Sequence, residues 1–133
     1  MTDEYKVEEG IYYTKEHEWA KVLGDGNVAV GVDDYAQSQL HEIVYVELPE
    51  VDAEVAQGEA LGAVESVKAV SDVYAPVGGK VVEVNEELLD SPELINDDPY
   101  GGGWIAKIEA SSLDADLAKL MDAEKYKAFL ASL

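Results

Sequence analysis

The stretch Gly62-Ala63-Val64-Glu65-Ser66-Val67-Lys68-Ala69-Val70-Ser71-Asp72-Val73-Tyr74-Ala75-Pro76 reads as two apolar-rich strands that meet near Val67-Lys68. A lysine at such a hairpin tip directs its amine toward solvent. By geometry alone that lysine is an ordinary solvated residue, as most lysines on hairpin turns are.

On either side the same grammar repeats. Glu18 to Leu23 reads as a strand, Gly24-Asp25-Gly26 as a hairpin turn in which glycine supplies positive φ, and Asn27 to Val32 as the return strand with alternating valines. Asp33 or Asp34 caps a short helix carrying Tyr35, Ala36, Leu40 and Ile43, before the β-branched run Ile43-Val44-Tyr45-Val46 takes over and Pro49 closes it. Downstream of the hairpin, Gly78-Gly79 precedes Val81-Val82-Glu83-Val84. Short strands joined by tight turns, without intervening helices, predict an antiparallel barrel or sandwich.

Two short helical candidates follow, at Glu86 to Leu89 and Pro92 to Ile95, and Gly101-Gly102-Gly103 reads as a flexible link into a last strand, Trp104 to Glu109. The end of the chain changes character. Leu113, Leu117, Leu120 and Met121 mark one helical face and Tyr126, Phe129, Leu130 and Leu133 another, with Asp122 as N-cap between them. The economical reading is one domain over 1–133, mainly β, with a helical tail at about 112–133.

Composition narrows the chemistry. There is no cysteine, so thiol catalysis, thiolate metal sites and disulfides are excluded, and any redox chemistry must come from an attached group. Asp and Glu number 29 against 9 lysines and no arginine, for a net charge of -20. Such a chain repels nucleic acid and anionic lipid, and its partners should carry basic patches. Self-repulsion on this scale is relieved by salt, which predicts a halophilic source and lower stability in dilute buffer. The opening MTDEYKVEEG lacks the features of a signal or transit peptide, and with no apolar stretch near the roughly 20 residues of a membrane span the expected address is cytoplasmic.

The string Glu65-Ser66-Val67-Lys68-Ala69, followed by Val70-Ser71-Asp72, Pro76 and Gly78-Gly79, closely resembles the lipoyl-attachment hairpin of glycine cleavage H-proteins. The likeness extends in colinear order through Tyr13 to Trp19, Val30 to Gln37, Ile43 to Pro49, Val81 to Glu87, Asp98-Pro99-Tyr100 and Gly103-Trp104. Several segments in conjunction are far more specific than one short motif. The resemblance implies a biotinyl/lipoyl-type flattened barrel, or barrel-sandwich hybrid, with the lipoyl hairpin at about 60–76. It implies lipoate in amide linkage to Lys68 and no catalytic residue of the chain's own.

In that family the lipoyl group takes an aminomethyl group from glycine at a pyridoxal-phosphate-dependent glycine decarboxylase. It delivers that group to a tetrahydrofolate-dependent aminomethyltransferase and is reoxidised by dihydrolipoyl dehydrogenase. These three enzymes and a lipoate-attaching enzyme are the implied partners. A tethered arm keeps its cargo at high effective concentration for the next enzyme.

Further site candidates come with the resemblance. Glu18 stands where the family places a carboxylate near the docked arm, as a partner for the amine, against the alternative of a solvated acidic face. Glu65, Ser66, Val67, Ala69 and Asp72 form the hairpin that an attaching enzyme would recognise, with Glu65 and Asp72 as its charged flanks. His17 and His41 do not make a metal pattern, and at His41 the family more often has glycine. Trp19 and Trp104 read as packing.

Other readings remain open at this level. Biotin carriers place Met on both sides of the lysine, whereas Val67 and Ala69 stand here. An H-like protein that relays lipoate to other enzymes would carry the same hairpin, and an acidic adaptor would leave Lys68 unmodified. A hydrolase or transferase needs a nucleophile and base or a metal cluster, and none can be assembled.

Overall fold

The computed structural model describes residues 5–133. Residues 1–4 of the opening that was read as neither signal nor transit peptide lie outside the described residues.

In chain order the strands are β1 (Tyr12–Tyr13), β2 (Glu18–Gly24), β3 (Asn27–Val32), β4 (Ile43–Glu47), β5 (Glu54–Val55), β6 (Ala60–Ser66), β7 (Val70–Tyr74), β8 (Gly79–Val84) and β9 (Ala106–Ala110). Among the described residues they make two sheets, six strands in the order β1-β2-β3-β9-β8-β5 and three in the order β4-β6-β7. Neighbouring strands pair antiparallel. The mainly antiparallel β architecture expected from the short strands, and the flattened barrel-sandwich implied by the resemblance, are therefore the observed ones.

Local chemistry explains the pieces. Gly24 pairs with Asn27 across the turn, leaving Asp25 and Gly26 as a two-residue loop with φ of 55° and 81°. Paired positive φ values give the mirror-image turn whose twist suits two antiparallel strands. Alternate residues of the two sheets, among them Val28, Val30, Val81 and Ile108 on one and Val46, Val64 and Val73 on the other, meet in a common buried core. Each such side chain gains about 1.5–3 kcal/mol from leaving water.

Helix α1 (Asp34–Leu40) is capped by Asp33, whose carboxylate accepts from the Ala36 N–H at 2.8 Å. Ile43 does not extend this helix as its spacing suggested. The chain turns at His41, and Ile43 opens β4 with its N–H held by Asn96 Oδ1 at 2.9 Å. The short helices α2 (Glu87–Asp90) and α3 (Leu94–Asp97) stand close to where the sequence placed them.

The expected flexible glycine link is instead packed. The Gly103 N–H donates to Asp98 O at 2.8 Å, and a Cβ at Gly103 would come within 2.8 Å of Leu94 O. These glycines permit a close approach to α3, and β9 starts two residues later than Trp104.

At the C-terminus, α4 (Leu113–Leu117) packs its leucines on the main core. Asp122 caps α5 (Ala123–Ala131) by accepting from Lys125 N at 2.8 Å. Tyr126 and Leu130 of α5 join Tyr13, Trp19 and Tyr100 in a second buried cluster. The ring of Tyr126 lies parallel to that of Tyr13, with centroids 4.3 Å apart. Trp19 is fully buried and donates its indole N–H to Val32 O and Pro99 O, whereas Trp104 is half-buried beneath Lys107.

Candidate functional site

The tip of the β6–β7 hairpin is held by one side chain. Ser66 is buried, and its N–H donates to Ala69 O at 2.8 Å. Its Oγ accepts from the N–H groups of Lys68 and Ala69, at 3.2 and 3.1 Å. A serine hydroxyl thus takes the place of a carbonyl across the turn, so the chain reverses without a glycine. Val67, Lys68, Ala69 and Val70 stand exposed on this clamp. Among the described residues none forms an ion pair with the Lys68 amine.

Strand register decides what surrounds that amine. Glu65 pairs with Val70 and Tyr45, and Ala63 with Asp72 and Glu47, so these residues share the outward face of the three-stranded sheet. Glu65 and Asp72, the predicted flanks, lie on one side of the lysine beside Glu47. Tyr45 and Val70 on that face are exposed apolar side chains, and Val67 is exposed at the tip.

Glu18 is elsewhere and is not a solvated charge. It is only 2% exposed, at the floor of a cleft of about 210 Å³ where the base of the same hairpin meets the first strands. From Val70 to Tyr74 the hairpin runs about 13 Å at the usual rise per residue, so tip and cleft mark its two ends. Thr14 donates its hydroxyl to Glu18 Oε1 at 2.5 Å, and the Tyr74 N–H donates to Oε2 at 3.2 Å. Burial pushes the Glu18 carboxyl up to about 7, against these two hydrogen bonds, which pull it down.

The cleft walls include Pro76 from the end of the hairpin and Leu120 and Met121 from the segment between α4 and α5. That segment is fixed by a pair of backbone bonds between Tyr13 and Met121, at 2.8 and 2.9 Å. The sequence marks Leu120 and Met121 only as part of a helical face and does not reveal this wall. It does not reveal Thr14 and Tyr74 either. Thr14 carried a faint signal, as a hydroxyl residue four positions before a glutamate, but nothing in the sequence tied Tyr74 to Glu18.

The histidines are set apart from one another. His17 packs against the aromatic rings of α5, and burial lowers its pKa from the ordinary imidazole value. His41 is exposed at the end of α1. Among the described residues no group of three or more His, Cys, Asp or Glu side chains is placed to hold a metal ion. Among the same residues no helix is long and apolar enough to cross a membrane.

A flattened two-sheet barrel with an exposed lysine at the tip of a Ser66-held hairpin, and no metal cluster among the described residues, fits a carrier protein, and the chain is of that class. Residues 11–133 match the family model of the glycine cleavage H-protein. The chain is 68% identical over 130 residues to the probable glycine cleavage system H protein of Pyrococcus abyssi, covering 98% of this chain and 96% of that protein. It is 60% identical over 125 residues to the glycine cleavage system H protein of Coprothermobacter proteolyticus, covering 94% and 98%. Its fold is similar to the crystal structure of a glycine cleavage system H protein from Mycobacterium marinum, with a TM-score of 0.85 at 37% identity, covering 96% of this chain and 100% of that one.

The chain belongs to the glycine cleavage H-protein family. It is accordingly a non-catalytic carrier component of the glycine cleavage system, moving the aminomethyl group of glycine from the decarboxylase to the aminomethyltransferase before reoxidation by dihydrolipoyl dehydrogenase.

Proposed function

We propose that this carrier acts through lipoate in amide linkage to Lys68, with the 1–133 chain working as one carrier unit. The observation that carries the reading is the Ser66-clamped tip, which holds the Lys68 backbone while the residue stands exposed, with no ion-pair partner among the described residues. These residues fit an acylated lysine. An amide there removes a charge that forms no ion pair among the described residues, and the exposed tip leaves room for an arm. When bound, lipoate supplies a dithiolane that accepts the one-carbon amine unit and is left as a dithiol for reoxidation.

The chain's own residues present and protect. The hairpin, through Ser66, sets the point from which the arm is offered, and Glu65, Val67, Ala69 and Asp72 give the attaching enzyme its orientation. The carboxylates Glu47, Glu65 and Asp72 favour partner surfaces rich in Lys and Arg, and exposed Tyr45 and Val70 on the same face supply apolar contact area. In the cleft, Glu18 serves as counter-ion for the protonated amine of the cargo, while Pro76, Leu120 and Met121 keep water away from it.

The acidic balance supports partners with basic patches and a saline setting, and the absence of signal or transit features in the opening MTDEYKVEEG supports a cytoplasmic address. The test of function is intact mass with peptide mapping of the protein from its own cells. A lipoyl-sized addition on Lys68 is expected, and its absence in lipoylation-competent cells overturns the assignment. Glu18→Gln should speed loss of the amine unit from the loaded carrier, and an unchanged half-life removes Glu18 from the reading.

A further inference from the structure

We propose that Thr14 is a positioning residue that holds Glu18 in its anionic form, aimed into the cleft, so that the carried amine meets a ready counter-ion. This deepens, and rests on, the reading of Glu18 as that counter-ion.

The geometry is reciprocal. Thr14 opens the turn between β1 and β2, with its N–H on Glu18 O at 2.9 Å and its carbonyl accepting from His17 N at 3.2 Å. Thr14 Oγ1 accepts from the Glu18 backbone N–H at 3.0 Å and donates to Glu18 Oε1 at 2.5 Å. Because the hydroxyl oxygen is engaged by a backbone donor, its proton is directed to the carboxylate. The second oxygen, Oε2, accepts from the Tyr74 N–H.

The Tyr74 N–H can only donate, and the Thr14 hydroxyl, anchored by the Glu18 N–H, makes a charge-assisted bond when it donates to the anion. That bond is stronger than the one the same hydroxyl would make by turning to accept from the neutral acid, so the two donors favour the charged form. Burial works the other way, since a carboxylate 2% exposed is strongly desolvated. The titratable groups around it are Lys15 and Glu16 of the turn, Tyr13 of β1, Tyr74 of β7, Lys119 of the C-terminal segment and Asp33 beyond the end of β3. The lysines are exposed, and Glu16 and Asp33 favour the neutral form. Thr14 is thus the side chain whose hydroxyl favours the charged form of Glu18 against its burial.

The test is a carbon-13 NMR titration of the Glu18 carboxyl in the protein without its arm, comparing wild type, Thr14→Val and Thr14→Ser. Thr14→Val keeps the shape and removes the hydroxyl, and it should raise the Glu18 midpoint by about one pH unit, a tenfold change in proton affinity. Thr14→Ser should restore it. A purely structural threonine predicts a lower melting temperature in Thr14→Val with the midpoint unmoved, and that result overturns the proposal.

Should Thr14→Val not fold, the wild-type spectrum decides. A slowly exchanging Thr14 hydroxyl proton above the Glu18 midpoint supports the bond, and its absence overturns it. On the loaded carrier, Thr14→Val should lose the amine unit several-fold faster at neutral pH, with the difference shrinking as pH rises. If Glu18→Gln leaves that loss unchanged while Thr14→Val still moves the midpoint, the counter-ion reading fails, and the role given to Thr14 fails with it.

Discussion

Tyr126 of α5 donates its hydroxyl to the buried carboxylate of Asp33, the residue that caps α1. The same tyrosine oxygen lies 2.6 Å from His17 Nδ1, which as the remaining donor completes a chain from imidazole to phenol to carboxylate. One polar line thus joins the C-terminal helix, the turn before β2 and the start of α1. Its neighbours are aromatic, so each member depends on the others for hydrogen bonds. Tyr126→Phe should lower stability by about 2 kcal/mol in urea unfolding, because Asp33 and His17 both lose a partner in a dry setting.

Stability should also respond to pH in an unusual direction. Burial raises both Glu18 and Asp33 to about 7, well above the ordinary carboxylate range. Between roughly pH 4 and pH 7 the folded chain therefore keeps protons that the unfolded chain has released. Stability from these groups falls as pH rises through that window and levels off above it. Thermal melts should give a higher midpoint at pH 5 than at pH 8, and Glu18→Gln with Asp33→Asn should flatten the slope.

At the attachment hairpin, Lys68→Arg should abolish any lipoyl adduct by intact mass while changing stability by no more than about 0.5 kcal/mol, as expected for an exposed side chain. Ser66→Ala is the informative companion. It keeps the lysine but frees the N–H groups of Lys68 and Ala69, so amide exchange at the tip should accelerate and enzymatic lipoylation should slow. An unchanged lipoylation rate would mean that the attaching enzyme reads the side chains and not the fixed turn.

His41 adopts φ 65° and ψ -147°, a combination that strongly favours glycine. Asn96 holds it there, donating to His41 O at 2.7 Å while accepting from Ile43 N. The turn thus holds a histidine under strain. His41→Gly should stabilise the protein by about 1 kcal/mol, read as a shift of the urea midpoint.

Salt should matter more than any single ion pair. The pairs Lys80–Asp52, Lys107–Glu83 and Lys127–Glu9 have well-exposed members, and such pairs contribute little. A net charge of -20 instead opposes compaction everywhere at once. Melting temperature should rise by several degrees between dilute buffer and molar KCl, and an unchanged midpoint would remove the case for a saline setting.

Local rules settled much of this molecule from the amino-acid string. Asp33 and Asp122 cap helices because their carboxylates reach a backbone N–H within one turn, and Asp25-Gly26 reverses the chain because the two φ values are set by those residues and their immediate neighbours. The strands around Lys68, and the lysine's place at their tip, were legible for the same reason. Period-two burial and turn chemistry act over a few residues.

What only the tertiary structure decided lies between distant segments. Glu18 read as a toss-up between surface charge and ligand, because burial depends on what folds over it, and Tyr74 lies 56 positions away. The cleft wall from Leu120 and Met121 comes from a segment whose apolar spacing signalled only a helix. The glycine run looked free because its packing against α3 is set by Leu94, Ile95 and Asp98, which no local pattern connects to it. Desolvation and long-range hydrogen bonding are properties of neighbourhoods, and the backbone register of two sheets creates those neighbourhoods.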